Sequence, residues 1–281
     1  MSTEIRKYQV NGEMVWQGNI NKVDGIKLDK PIHYYIRPLN INDAEAMVGL
    51  SETIYANLGE GQECFIHKHS KEYYNSVFKS PNIRYVGAFV GKELVGMSYI
   101  KICENNNELQ DELPNCEYNF FNRKNTSSRI ATFGADSVHP SYRGNAINTA
   151  MINYRMEQAV FLNCTDCASI VDRNNRWNMT PYFACRFNLF QTAIDPSDGG
   201  KISLLHKPID KSSVLSKVKT RITLPFDRFE LIDAMIKKGF IGVEFDRKTA
   251  EITFAHSNYY KANEYNKDYT LMSQNNHAWA M

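Results

Sequence analysis

The sequence predicts a mixed α/β domain, with a mostly antiparallel sheet flanked by helices and a smaller α/β segment behind it. Three observations carry this. Arg84–Val90 and Glu93–Cys103 are strand-like runs joined by Gly91-Lys92, which reads as a hairpin. Arg129–Val138 is a further strand-like run that passes through Pro-Ser-Tyr-Arg-Gly into a helix-like run, Asn145–Leu162. Phe187–Ala193 and Lys201–His206, joined by the acidic turn from Asp195 to Gly200, form a second hairpin, and the pattern restarts after Pro208.

The elements follow in order. Residues 1–30 are weakly patterned and read as an N-terminal extension, adding an edge strand near Glu13–Gln17 or wrapping the core. His33–Leu39 alternates as a strand, and Asn42-Asp43 caps a helix through Leu50 and beyond. Residues 51–80 are helical with breaks at Gly59 and Gly61. Glu104–Ser128 is long and polar for a strand connection, and connections of that length are usually functional or mobile. In the helix Asn145–Leu162, Ile147, Met151 and Tyr154 share one apolar face. Cys167–Val171 is a short buried strand, and Asn178–Cys185 a short helix with Pro181 in its first turn. The chain then divides into a main domain over 31–208 and a C-terminal extension or small domain over 209–281. In the latter, Arg221–Leu224 is a strand, Asp227–Lys238 a helix closed by Gly239, and Gly242–Phe245 with Ala250–Phe254 a hairpin. The apolar face Phe226, Phe229, Ile232 and Ile236 must bury against the main domain or a second copy, so a homodimer is one expectation. The stretch 257–281 is polar and rich in tyrosine, loose or docked.

The totals narrow the function classes. The 281 residues suffice for one large domain or one domain plus a smaller one, and 43% hydrophobic with 23% charged residues is ordinary for a globular protein. A net charge of +2 does not argue for nucleic acid or an anionic membrane as the main partner. No apolar run reaches the roughly 18 residues a membrane span needs. The N-terminal stretch lacks the apolar centre of a signal peptide, which makes a cytoplasmic location the expectation. The six cysteines are scattered, and Cys164-x-x-Cys167 has no second pair and no nearby histidine. Buried reduced thiols fit better than zinc, and no metal is expected there or at His67 and His69, which lack a third ligand.

The most informative stretch is Val138–Asn148, VHPSYRGNAIN. A strand ends, a tight turn follows and a helix opens. The first amides of a helix have no acceptor within it and attract anions, phosphate above all. The stretch therefore offers a pyrophosphate cradle, and a pyrophosphate usually belongs to a nucleotide cofactor.

The order of elements over about 33–207 resembles the GNAT superfamily of acetyl-CoA-dependent N-acyltransferases. Four local matches carry the resemblance: Ile36-Arg37-Pro38 with Asp43; Val138, Pro140, Tyr142, Arg143 and Gly144 in the phosphate turn; Ile170-Val171 followed by Asn175; and Tyr182 with Phe187. Ala146 and Asn148 depart from it, standing where the family prefers glycine. Ala146 is a small loss if its φ is negative, and Asn148 either crowds the cofactor or donates to it.

The resemblance implies an acyl-CoA, most simply acetyl-CoA, whose pantetheine arm lies along the strand ending at Val138, with Ser137 and Val138 bonding its amides and the Val138 N–H polarising the thioester. It places Arg143, Gly144, Asn145, Ala146, Ile147 and Asn148 around the pyrophosphate and Asn175 beside the pantetheine. Tyr182 would protonate or hold the leaving thiolate. The base is ranked with Asp136 first, on the face of the strand that leads to Val138, ahead of Glu63 and His139. The expected reaction is direct attack by a primary amine in a ternary complex. Glu104, Glu108, Asp111, Glu112, Glu117, Asp195 and Asp198 would favour a cationic acceptor if the 104–128 connection forms a lid, the plainer reading being a solvated acidic loop. A catalytically inactive protein of this fold, binding CoA or another ligand as a sensor, or an interaction protein, is the alternative.

Overall fold

The computed structural model describes residues 5–10, 13–62, 68–121, 128–209, 215, 220–257 and 259–260. Among these, the strands β1 (Arg6–Val10), β2 (Glu13–Val23), β3 (Ile26–Pro38), β4 (Ile83–Val90), β5 (Glu93–Cys103), β6 (Ile130–Val138), β7 (Asp166–Asp172), β8 (Asn188–Ile194), β9 (Lys201–Pro208), β10 (Arg221–Pro225), β11 (Phe240–Asp246) and β12 (Glu251–His256) form one sheet. Its order is β1-β2-β3-β4-β5-β6-β7-β9-β8-β11-β12-β10. Every described pairing is antiparallel except that of β6 with β7.

The helices are α1 (Ala44–Tyr55), α2 (Lys71–Val77), α3 (Asn106–Glu112), α4 (Ile147–Phe161), α5 (Arg176–Ala184) and α6 (Phe229–Lys237). Alternate residues of a strand face opposite sides, and the buried clusters follow that rule. Val86, Ala88 and Val95 pack with Ile147, Met151 and Tyr154 of α4. Tyr85, Phe89, Leu94 and Met97 pack with Met47, Leu50 and Ile54 of α1. Further along the sheet, α4, α5 and α6 share a cluster holding Phe133, Met179, Tyr182 and Ile232, while Leu109 and Leu113 at the α3 end pack with Phe120, Phe190 and Ile202.

This arrangement meets the expectation of a mixed, mostly antiparallel sheet flanked by helices. The Ile36-Arg37-Pro38…Asp43 pattern has a direct reading: the Arg37 guanidinium donates both to Oδ1 and to Oδ2 of Asp43, each at 2.8 Å, locking the end of β3 to the start of α1. The same carboxylate accepts from the Asn40 N–H at 2.9 Å, closing a capping box. The apolar face of the C-terminal helix turns into the main core, with Phe226 and Ile232 buried there and Ile236 packed against them.

Two elements differ from expectation. The N-terminal stretch forms β1, β2 and the start of β3, with β1 outermost and β2 paired with β3 along most of its length. Within the 104–128 connection, α3 forms because Asn105 caps it, accepting from the Glu108 N–H at 3.0 Å while donating to the Glu108 carboxylate at 2.7 Å. Leu109 and Leu113, one helical turn apart, then bury together. No helix among the described residues is long and apolar enough to cross a membrane.

Candidate active site at the β6–β7 splay

β6 pairs with β7 only from Ile130 opposite Asp166 to Phe133 opposite Ser169. Beyond that point the two strands part. β7 keeps its other edge on β9 as far as Asp172, and β6 keeps its other edge on β5 as far as Val138. Residues 134–138 thus have one edge without a strand partner among the described residues. A register shift opposite Met97 and Tyr99 inserts an extra residue here, and Ala135 takes a φ of +52°. Such bulges re-aim side chains: Phe133 and Asp136, three residues apart, both contact Arg155 of α4. The His139 N–H donates to the Val95 carbonyl of β5 at 2.8 Å. Successive residues direct their amides to opposite edges, so the Val138 N–H points into the splay. The Val138 carbonyl accepts from Arg143 Nε at 3.2 Å.

After β6 the chain makes a single 3₁₀ turn at Pro140–Tyr142 and reaches α4 through Gly144 at φ +78° and Ala146 at φ +58°. The expectation of a small loss at Ala146 rests on negative φ. The residue stands instead in the left-handed region, where a Cβ costs about 1 kcal/mol. No side chain caps the first turn of α4, leaving its leading amides available to an anion. The side chain of Asn145 serves β2: Nδ2 donates to the Lys22 carbonyl at 2.8 Å, and Oδ1 accepts from the N–H groups of Asn21 and Lys22 at 2.9 and 3.2 Å. Ile147 is buried in the core, so only its backbone faces the turn. Asn148 Nδ2 donates to Asn178 Oδ1 at 2.8 Å, tying the first turns of α4 and α5 together. Asn175 caps α5, its Oδ1 accepting from the Asn178 N–H at 3.1 Å. Ser137 is buried.

Asp136 and Tyr182 meet at the bottom of the splay. The Tyr182 hydroxyl donates to Asp136 Oδ2 at 2.5 Å and lies 2.8 Å from Ser169 Oγ. Asp136 Oδ1 accepts from the Arg155 guanidinium, whose other nitrogen donates to the Tyr99 carbonyl at 2.9 Å. The Arg155 and Asp136 side chains are 0% and 2% exposed. Burial, then the Asp136 charge, holds the Tyr182 phenol well above its ordinary value. Burial opposes the charge on Arg155, and Asp136 more than restores it. Asp136, ranked first among the candidate bases, is already partnered in this structure. Both its oxygens are engaged, Oδ1 by the buried Arg155 guanidinium and Oδ2 by the Tyr182 hydroxyl. Arg155 is the residue that sequence reasoning missed. Its signal was a lone arginine four residues after Met151 on the apolar face of α4.

A second polar group lies on the other face of the sheet. The Tyr99 hydroxyl donates to Glu112 Oε2 at 2.7 Å, and Lys101 Nζ donates to Glu112 Oε1 at 2.8 Å. Burial, followed by Glu112, holds Tyr99 well above the usual phenol range. The other acidic candidates are largely spent locally: Glu104 pairs with Arg129, Glu108 caps its own helix, and Asp195 and Asp198 accept from the turn that carries them. Of these, Glu104 meets a cation, while Glu108, Asp195 and Asp198 accept from neutral amides and keep their charge. Glu63 and His67 lie outside the described residues; His69 stacks on Tyr73 at 3.8 Å. Cys164 and Cys167 are both buried, and burial pushes the Cys164 thiol up to about 11.

No family model matches the sequence, and no curated protein matches it. Among solved structures, NAA60 of Arabidopsis thaliana in complex with acetyl-CoA is 17% identical, covers 63% of this chain and 99% of its own, and has a TM-score of 0.47. PaiA N-acetyltransferase from Thermoplasma acidophilum in complex with coenzyme A is 20% identical over 62% of this chain and 98% of its own, with a TM-score of 0.44. The ribosomal-protein-S18-alanine N-acetyltransferase from Escherichia coli is 10% identical over 66% and 99%, with a TM-score of 0.45. By its own topology, a parallel β6–β7 pair that parts at Phe133 in an otherwise antiparallel sheet and leads through a tight turn into α4, this chain has the mixed, mostly antiparallel sheet flanked by helices that the sequence led us to expect.

Proposed function

We propose that the chain is an N-acyltransferase of the GNAT superfamily, taking the acyl group of an acyl-CoA, most simply acetyl-CoA, and placing it on a primary amine by direct attack in a ternary complex. One observation carries the reading: the strand edge left free at 134–138 runs straight into a turn built on Gly144 and Ala146 at positive φ and then into an uncapped helix. Backbone amides along a free edge suit the amide-bearing pantetheine arm, and uncapped helix amides suit a diphosphate. The residues present therefore fit CoA. Ser137 and Val138 would hold the pantetheine through their backbone, Gly144 to Asn148 the diphosphate, with Arg143 beside it. Asn175 would stand by the arm. Bound there, the thioester supplies an acyl group activated for attack by nitrogen.

The chain's own groups then have defined tasks. The Val138 N–H, pointing into the splay, donates to the oxygen that gains charge; one such preorganised donor is worth about 3–4 kcal/mol. Tyr182 would hold or protonate the departing sulfur once its proton turns from Asp136, which accepts it here. Its proton is directed to Asp136, so Asp136 with Arg155 sets the orientation of the phenol, and service as a base would require the Arg155 contact to open. On the opposite face, Tyr99 and Glu112 stand next to Gly134, where a Cβ would lie 2.5 Å from the Tyr99 hydroxyl.

A thiol-release assay with acetyl-CoA and a panel of primary amines tests the reading, together with thermal melting in CoA, acetyl-CoA and longer acyl-CoAs. Saturation to a hundred times Kd raises Tm by roughly 5 °C if CoA binds the native state. No shift with any of them removes the proposal. A shift without turnover across the panel selects the sensor reading, which the strained Ala146 and the fully engaged Tyr182 favour.

A further inference from the structure

Lys22 lies far from the phosphate turn in sequence and directly over it in space. A Cβ built on Gly144 would sit 2.5 Å from both Cε and Nζ of Lys22. Three sets of contacts hold the lysine there. Asn145 grips the Lys22 backbone on both sides, donating to its carbonyl at 2.8 Å and accepting from its N–H at 3.2 Å. The Asp24 N–H donates to the Ser141 carbonyl at 2.8 Å. The register of the β2–β3 pair shifts here, Ile20 lying opposite Ile32 and Lys22 opposite Lys27, so that β3 carries the extra residues. The carboxylates nearest in the fold are otherwise placed: Glu93 accepts from the Tyr142 hydroxyl at 2.9 Å, and Asp24 forms no ion pair with Lys22 among the described residues.

The Lys22 ammonium thus lies over Gly144, in the turn that leads into α4, with no hydrogen bond or ion pair to Nζ among the described residues. Bringing a cation to a region already of positive potential is unfavourable unless an anion sits between them. The turn also lacks two of the glycines that let backbone approach a diphosphate closely, having Ala146 and Asn148 in their place. Direct charge from a side chain can replace what the backbone gives up.

We infer that Lys22, delivered by the N-terminal β2–β3 hairpin, is a ligand of the CoA diphosphate, so that the extension completes the cofactor site. This rests on the CoA reading above.

The test measures Kd by calorimetry on the full chain with three probes: CoA, dephospho-CoA, which lacks the 3′-phosphate, and S-acetylpantetheine, which lacks every phosphate. Lys22→Gln is expected to weaken CoA and dephospho-CoA equally, by about ten-fold or more, and to leave S-acetylpantetheine unchanged. Lys22→Glu weakens the first two further, Lys22→Arg keeps most of the affinity, and the Lys22→Gln variant shows a shallower dependence of Kd on salt. A half-exposed side chain is tolerant of change, so the ligand-free melting temperature stays close to the parent's. Unchanged or tighter CoA binding in Lys22→Gln overturns the inference, as does a loss confined to CoA, which would assign the contact to the 3′-phosphate. Failure of the parent protein to bind any of the three would instead overturn the CoA reading itself.

Discussion

The two faces of the sheet at β5–β6 carry the same chemical group in two different settings. On the α4–α5 face, Tyr182 donates to Asp136, which is paired with Arg155. On the α1–α3 face, Tyr99 donates to Glu112, which is paired with Lys101. The first pair is sealed from solvent. The second keeps 19% and 15% of its side-chain surface, and Glu112 arrives on a helix inserted between strands. Depth decides what each can do. A sealed ion pair holds geometry, because separating its charges is costly. A partly open one can exchange partners, so an incoming amine can compete with Lys101 for Glu112. On the proposed reading, the α4–α5 face would serve position and the α1–α3 face access.

Removing one charge from each pair should separate the two settings most widely. Asp136→Asn leaves Arg155 buried without a counter-charge and is expected to lose about 3–5 kcal/mol of stability. Glu112→Gln, beside water, should lose about 1 kcal/mol. Urea midpoints of the two variants, measured together, decide it; equal losses would mean that the two pairs are equally sealed. Substitution is a cleaner probe of the insertion than excision, since removing 106–124 would also delete Leu109, Leu113, Cys116 and Phe120 from the core.

Hydroxyl removal sharpens the same contrast in kinetics. Tyr182→Phe is expected to lower kcat ten-fold or more with little change in the KM for acetyl-CoA. Tyr99→Phe should act on the amine instead, raising its KM several-fold while the acetyl-CoA KM stays put. A Tyr182→Phe enzyme with the parent's kcat would take the phenol out of the chemistry and leave it as a strut for Asp136.

The order of strands and helices was legible because each element carries its own local signal, whether a hairpin turn, a cap or a period. The Ile36-Arg37-Pro38…Asp43 motif and the tight turn after Val138 were visible for the same reason, being short-range patterns, although the Arg37–Asp43 ion pair itself was not read from them. What sequence could not supply was pairing across the fold. Asp136 reads as an open carboxylate until Arg155, nineteen residues on, is seen to face it across the bulge. Lys22 and Glu112 sit in segments read as an extension and a loop, and only the pairing of β2 with β3 and the seating of α3 bring them to Gly144 and to Tyr99. The Asn105-x-x-Glu108 cap was available in the sequence as a helix signal and would have given α3.

The backbone of the cofactor side offers the smallest and most specific test. Ala146 has a left-handed φ at the head of α4 and makes no capping bond that would repay it. Glycine adopts that conformation freely, so Ala146→Gly should raise stability by about 1 kcal/mol, less a few tenths for the freer unfolded chain. If the amides of this turn bind a diphosphate, the same change also relaxes the turn and removes a methyl group beside it, and CoA affinity should rise with stability. Glu112→Gln, on the access side, should leave CoA affinity where it is. A stabilised Ala146→Gly protein with unchanged CoA affinity would mean that position 146 strains the fold without touching the cofactor, and the diphosphate contacts would then have to come from Gly144 and Lys22 alone.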